Sequence, residues 1–80
     1  MTTTFEVLAE PSRRRILDLL REGERPVGEL VTELQLAQPA VSKHLKALKA
    51  AGLVSVRPEA QRRYYRLRVA PLLELDAWLA

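Results

Sequence analysis

Basic side chains are concentrated in one stretch of the 80-residue chain. Between residues 41 and 68, eight Lys or Arg face one acid, Glu59, so this stretch carries +7 although the whole chain carries only +3. The other residues therefore sum to −4. Cations gathered in this way can neutralise phosphates, whereas charges that only keep a protein dissolved are mixed in sign. The stretch predicts a surface that faces a polyanion; a basic face that only meets solvent is the alternative.

The chain lacks the residues that other chemistries require. It has no Cys, which excludes disulfides, thiolate metal sites and a cysteine nucleophile. Its single His, His44, lies two positions from Ser42 in one predicted helix and cannot activate that hydroxyl. Glu74 and Asp76 are also two positions apart and point away from each other, whereas a transition metal needs three or four N or S donors. We therefore predict no enzyme, no metal and no cofactor.

The first three elements of the chain, which must support the basic stretch, are predicted to be helices. A short helix covers residues 5–9, and a second begins at Pro11, where a missing N–H costs nothing, and ends at Gly23. Residues 24–26 form a polar connection. A third helix of about two turns follows, with apolar residues at i, i+3, i+4 and i+7. The apolar positions of the second and third helices are Ile16, Leu17 and Leu20, then Val27, Leu30, Val31 and Leu34.

A fourth helix is the best delimited, because Pro39 marks its first turn and Gly52 supplies a left-handed stop. At 100° per residue, its apolar stripe and its basic residues fall on different faces. The stripe consists of Val41, Leu45 and Leu48, and the outward face carries Ser42, Lys43 and Lys46. Two helices joined by a four-residue turn, the second basic outside, form the helix-turn-helix arrangement in which the second helix enters a major groove.

A β-hairpin and a last helix are predicted after residue 52. Residues 53–57 are rich in β-branched residues, and residues 62–69 alternate, with Tyr65, Leu67 and Val69 on one side and the polar residues on the other. Pro58 suits a type I turn, and the lack of Gly favours a longer, mobile tip over a two-residue turn. Pro71 opens the last helix. The predicted fold is mainly α with a small β-hairpin, in the order α-α-α-α-β-β-α.

The length allows one domain, residues 1–80, with a thin core. Without disulfides, a chain of this size must gain stability from helix packing or dimerisation. Its start has no basic region followed by an apolar stretch, and no apolar run is long enough to span a membrane. We therefore expect a cytoplasmic protein with no membrane contact.

Four segments carry a resemblance to a known family: L-A-E-P-S-R at 8–13, Q-P-A-V-S-K-H-L-K at 38–46, A-G-L-V at 51–54 and R-R-Y-Y-R-L at 62–67. Their order and spacing resemble the ArsR family of prokaryotic winged-helix-turn-helix repressors, over nearly the whole chain. That resemblance implies a nucleoid-associated homodimer that represses by covering double-stranded promoter DNA. Its first and last helices would form the dimer interface through Phe5, Leu8, Leu72, Leu75, Trp78 and Leu79.

The resemblance also implies DNA contacts on recognition helix 39–51 and wing 53–69. Glutamine can pair with adenine, lysine can read guanine or phosphate, and hairpin arginines can hold the backbone or enter the minor groove. Gln38 can instead bond its own backbone, and His44 can bond a phosphate or pack against the neighbouring helix. The contacts are Gln38, Ser42, Lys43, His44 and Lys46 on the helix, and Arg57, Arg62, Arg63 and Arg66 on the wing.

Other features depart from the family or stay open. Many members sense metals through Cys pairs or through His and carboxylate ligands on the terminal helices. This chain has no Cys and a single His, on the recognition helix, so we expect the non-metal-sensing type. Glu10 replaces a shorter Asp cap, and Ala60 a common wing Gly. The cluster at residues 13–15 can contact phosphate or pair with Asp18. A winged-helix module that binds another protein is the alternative function, and an inducing ligand is unknown.

Overall fold

Five helices and three short strands make up the part of the chain that the computed structural model describes, residues 3–80. The first two residues of the expected domain, 1–80, lie outside it. The elements are α1 Thr4–Leu8, α2 Pro11–Leu20, β1 Arg25–Pro26, α3 Val27–Leu34, α4 Gln38–Ala50, β2 Val54–Glu59, β3 Arg62–Leu67 and α5 Ala70–Leu79. All five expected helices and the hairpin are present.

Local signals set the ends of the central helices. Glu10 caps α2, since its Oε2 accepts a hydrogen bond of 3.1 Å from the Arg13 backbone N–H. α3 ends at Gln35, which adopts the left-handed conformation with φ 55°. α4 ends in a Schellman motif, because Gly52 has φ 75° and donates to Lys49 O at 2.9 Å while Leu53 N donates to Leu48 O at 3.0 Å. The predicted glycine stop of α4 is confirmed.

The core lies between α1, α2, α3, α4 and the base of the hairpin. The predicted stripes of α2 and α4 are buried, whereas Val27 and Val31 of α3 are only half-buried at its edge. Among residues 3–80, no polar or charged residue is buried, so burial of apolar surface is what holds the elements together. The buried residues are Val7, Ile16, Leu17, Leu20, Leu30, Leu34, Val41, Leu45, Leu48, Leu53 and Val54.

The sheet has one strand more than expected. β1 lies antiparallel to β3, with Arg25 opposite Tyr65 and Pro26 opposite Tyr64, and the strand order is β1-β3-β2. The interpretation of residues 24–26 as a plain connection was therefore wrong. Two residues are too few to show the period-2 alternation that marks a strand, and only the packing of the hairpin against α3 reveals it.

The tip of the hairpin is also tighter than expected. Glu59 is opposite Arg62, so only Ala60 and Gln61 form the loop, and Ala60 has φ 53°. Pro58 lies within β2, opposite Arg63, rather than in the turn. Proline is tolerated there because β2 is an edge strand. The prediction of a longer tip was wrong, since Ala60 takes the positive φ that a two-residue loop usually assigns to glycine.

The second strand of the hairpin also ends two residues early. Val69, expected to point inward with Tyr65 and Leu67, follows β3 as the N-cap of α5 and is 53% exposed. Tyr65 and Leu67 do pack against the core. The alternation of the strand therefore holds only up to Leu67, where the chain turns into the last helix.

Candidate nucleic-acid interface

The outward face of α4 is presented by the packing of its inward face. Val41, Leu45 and Leu48 are each at most 1% exposed, which fixes the rotation of the helix about its axis. α3 and α4 are joined by only three residues, 35–37, because α4 begins at Gln38. The exposed positions of α4 that sequence reasoning singled out are Gln38, Ser42, Lys43 and Lys46.

His44 lies off that outward face and against the start of α2. Its ring is half-buried, and its Nδ1 accepts a hydrogen bond of 3.4 Å from Arg13 Nε. The same Nδ1 lies 3.5 Å from Glu10 Oε2. Of the two expectations for His44, the geometry matches packing against the neighbouring helix.

Glu10 is the acidic partner in this cluster. Desolvation raises the pKa of the Glu10 carboxyl, but the backbone N–H groups of Ser12 and Arg13 and the nearby charges of His44 and Arg13 outweigh it. The pKa of Glu10 therefore lies below its ordinary value. The ionised carboxylate therefore stabilises the start of α2, where it accepts from the Arg13 backbone N–H.

The remaining arginines of residues 13–15 serve the scaffold. Arg14 Nη1 donates to Leu8 O at 2.6 Å, in the last turn of α1, and Arg15 Nη2 donates to Glu33 O at 3.4 Å, in the last turn of α3. Helix ends leave carbonyl groups without partners, and these cations supply them. The expected pairing with Asp18 is not what the structure shows, because Asp18 pairs with Arg21 at 3.4 Å.

The hairpin carries its arginines on two faces. Arg62 and Arg66 share the outer face with Tyr64, and Arg66 Nε donates to Ser55 Oγ at 3.3 Å. Arg63 shares the inner face with Tyr65 and borders a groove of about 840 Å³ between the wing and α3. Gln38 and Arg62 also line this groove. The start of α4 and the wing arginines thus border one concave surface.

Arg57 differs from the other wing arginines, because acids hold it. Its Nη2 lies 2.5 Å from Glu24 Oε1, and its Nη1 lies 3.3 Å from Glu59 Oε2. The guanidinium carbon stands 4.9 Å from the centre of the Tyr64 ring. The hydrogen bond to Glu24 raises the pKa of Arg57 and lowers that of Glu24. Nothing in the spacing of the sequence pointed to Glu24.

The residues expected at a dimer interface divide into two groups. Phe5 and Trp78 are 51% and 73% exposed and meet edge to face, with ring centroids 5.5 Å apart. Leu79 is exposed as well, as is Leu73, which sequence reasoning missed. Leu8 and Leu72 instead pack against the chain's own core, and Leu75 is half-buried.

Residues 3–80 contain neither a cluster of metal-ligating side chains nor a membrane-spanning helix. In that part of the chain no three His, Cys, Asp or Glu side chains are grouped so that they could hold a metal ion. None of the helices found there has the length and apolar character needed to cross a membrane.

Fold and surface together define the class of protein. A helix-turn-helix with an outwardly basic second helix, followed by a β-hairpin, is the winged helix-turn-helix of DNA-binding regulators. Solved structures agree: a possible transcriptional regulator for arsenical resistance has a TM-score of 0.90 at 40% identity, covering 99% of this chain and 82% of that one. HlyU from Vibrio cholerae has a TM-score of 0.81 at 37% identity, covering 94% and 82%.

The chain belongs to the arsR family of bacterial regulatory proteins, whose model matches residues 10–56. It is 33% identical over 79 residues to the transcriptional repressor SdpR of Bacillus subtilis, covering 99% of this chain and 88% of SdpR. It is 48% identical over 63 residues to the HTH-type transcriptional regulator Rv2034 of Mycobacterium tuberculosis, covering 79% and 59%. The chain is thus a DNA-binding transcription regulator and not an enzyme, as expected.

Proposed function

We propose that this chain represses transcription as a homodimer that binds an inverted-repeat operator, with α4 in the major groove and the wing on flanking DNA. One observation carries the proposal. The exposed start of α4 and the wing arginines border the same groove, as Gln38, Arg62 and Arg63 show. A duplex that receives α4 would therefore also lie within reach of the wing arginines.

The proposed contacts divide into base readers and backbone contacts. Gln38 and Lys43 carry groups that suit adenine and guanine edges, and Ser42 and Lys46 can serve base or phosphate. The exposed Arg62 and Arg63, and Arg66, are proposed to contact phosphate or the minor groove. His44 is proposed to support α4 from behind rather than to touch DNA.

The proposed dimer uses the apolar surface of α1 and α5. Four large apolar side chains on these helices are more than half exposed: Phe5, Leu73, Trp78 and Leu79. An exposed apolar surface of this kind usually marks a binding site for another protein. Leu8, Leu72 and Leu75 would support this surface from below. A two-fold axis there would set two α4 helices about 34 Å apart, one turn of DNA.

Metal sensing has no part in the proposal, because the chain has no Cys and its one His is engaged with Glu10 and Arg13. Because its proposed target is operator DNA, we propose that the protein acts in the bacterial cytoplasm, on the nucleoid. Residues 1–80 would act there as one DNA-binding unit. A module that binds only another protein is disfavoured, since it would not need Lys43 and Lys46 exposed beside a basic wing.

Selection of bound duplexes from a random pool tests this function. We expect an inverted repeat with half-sites about ten base pairs apart. The logarithm of the affinity should fall linearly with the logarithm of the salt concentration, with a slope of about 0.9 for each phosphate neutralised. Random recovery of sequences with no symmetry, or an affinity indifferent to salt, would contradict the proposal.

A further inference from the structure

Arg57 and Glu24 join the two outer edges of the small sheet. Arg57 stands on β2, and Glu24 directly precedes β1, on the far side of β3. The Arg57 side chain crosses above Tyr64 of the middle strand to reach Glu24, with a second contact of 3.4 Å between Nε and Oε2. The pair therefore straps the hairpin to the loop that follows α2.

The strap lies where the hairpin leaves the body of the protein. β1 pairs with Tyr64 and Tyr65, so toward the tip, beyond Tyr64, no third strand from residues 3–80 supports β2 and β3. The orientation of the tip, which carries Arg62 and Arg63, depends on what holds the hairpin at this level. A two-pronged arginine–carboxylate pair is the kind of ion pair that fixes geometry, whereas single-contact surface pairs contribute little.

The contacts of Arg57 also leave it poorly placed to bind a phosphate. Nε and Nη2 face Glu24, Nη1 faces Glu59, and the ring of Tyr64 covers one side of the guanidinium. A phosphate at this position would have to displace a carboxylate, and two negative groups already stand beside it. This position does not suit the DNA contact that the family resemblance implies for Arg57.

We propose that Arg57 is a positioning residue, which with Glu24 sets the angle of the wing so that Arg62 and Arg63 reach DNA. The inference rests on the proposed function and reassigns one of its expected contacts. Glu24, an acid beside a DNA-binding surface, acts here in favour of binding, because it holds the wing in place. Tyr64 provides the surface over which the arginine is laid.

Two conservative substitutions separate positioning from phosphate contact. Glu24→Gln and Arg57→Lys each remove the two-pronged pair, since lysine offers a single point charge. We expect each to weaken operator affinity about three- to tenfold, with little further loss in the double variant, and to leave the salt slope unchanged. Fluorescence anisotropy on an operator duplex, at several salt concentrations, measures both quantities.

Arg62→Ala is the matched control, because Arg62 is exposed on the same outer face of the hairpin. It should weaken binding and lower the salt slope by about one. Tighter binding by Glu24→Gln, or unchanged binding by Arg57→Lys, would overturn the positioning role. Tighter binding by Glu24→Gln would mean that Glu24 only competes with DNA for the arginine. Unchanged binding by Arg57→Lys would mean that a positive charge at residue 57 is sufficient for DNA binding.

Amide hydrogen exchange of the free protein tests the strap without DNA. We expect faster exchange in β2 and β3 of both variants, and unchanged exchange in α2 and α4, because only the hairpin loses a support. Unchanged hairpin exchange would refute the strap even if affinity fell. Absence of duplex binding by the unmodified protein would refute the proposed function instead. Faster hairpin exchange in the two variants would still support the strap in that case.

Discussion

Lys43 and Lys46 owe their exposure to their neighbours on α4. Val41, Leu45 and Leu48 are buried, so the lysines between them point outward. Lys46→Ala should cost about 1–3 kcal/mol of binding free energy if Lys46 reads a base, and should relax discrimination at one operator position. Affinity for a set of single-base operator variants measures this.

Lys49→Ala is the control for that experiment, because Lys49 is exposed near the end of α4, away from Gln38. It should change affinity little. A Lys46→Ala loss that is equal on every sequence, with a salt slope lower by about one, would reassign Lys46 to phosphate.

Glu10 makes stability depend on pH. Its pKa is lowered in the fold, so the ionised form stabilises the protein fully above its ordinary value of 4.5, and this contribution is lost as pH falls through the lower folded value. Glu10→Ala should destabilise by about 1 kcal/mol at pH 7, as loss of an N-cap does. Urea unfolding at several pH values should show the difference from the unmodified protein shrinking below pH 4.5.

Glu33→Ala is the matched comparison, because the Glu33 side chain is exposed on α3. It should have little effect at any of these pH values. A Glu10→Ala deficit that stays constant into acid would show that the carboxylate charge is not what stabilises the start of α2.

At the scale of the elements, arginines outside the basic stretch complete helix ends. Arg14 does so for α1 and Arg15 for α3, and Arg25 Nε donates to Leu19 O at 3.1 Å in the last turn of α2. Arg25 also pairs with Glu22 and Glu29. This division explains the charge pattern: arginines of the scaffold are taken up by carbonyls and acids, while the basic stretch keeps most of its charge for a partner.

Arg25→Ala should lower the free energy of unfolding by about 1–2 kcal/mol. The substitution removes a half-buried guanidinium, so the Leu19 carbonyl loses its donor and two acids lose their cationic partner. The salt slope of DNA binding should not change. Arg21→Ala, which loses only a solvated pair with Asp18, should cost less than about 0.5 kcal/mol. Equal effects of the two variants in urea unfolding would contradict the capping role of Arg25.

At the scale of the whole molecule, α1 and α5 carry apolar side chains that the core does not cover. No residue of α5 is buried, and Phe5 of α1 contacts Trp78 of α5 at the surface. A second copy covering this surface would complete the burial that α5 lacks in one chain.

Trp78→Ala should shift sedimentation from dimer to monomer at micromolar concentration, because it removes the largest exposed apolar side chain. Trp78→Phe keeps an aromatic ring beside Phe5 and should retain more dimer. Operator affinity should fall with dimerisation, since two half-sites are then no longer bound together. A monomeric unmodified protein at that concentration would end the dimer proposal.

The sequence was sufficient for features that depend on near neighbours. Helix stripes, the proline starts and the glycine stop of α4 follow from residues within a few positions of one another, and so does the outward placing of Lys43 and Lys46. Motif resemblance supplied the winged fold and the family. These features need no knowledge of which distant segments meet.

Tertiary structure decided whatever depends on partners far along the chain. β1 exists only because β3 lies beside it, and Arg57 meets Glu24 across 33 positions of sequence. His44 meets Arg13 across 31 positions, and this contact is the ground for proposing that His44 supports the scaffold. Composition and spacing specify that a residue is basic and exposed, but its hydrogen-bonding partner decides whether that charge holds the fold or remains for DNA.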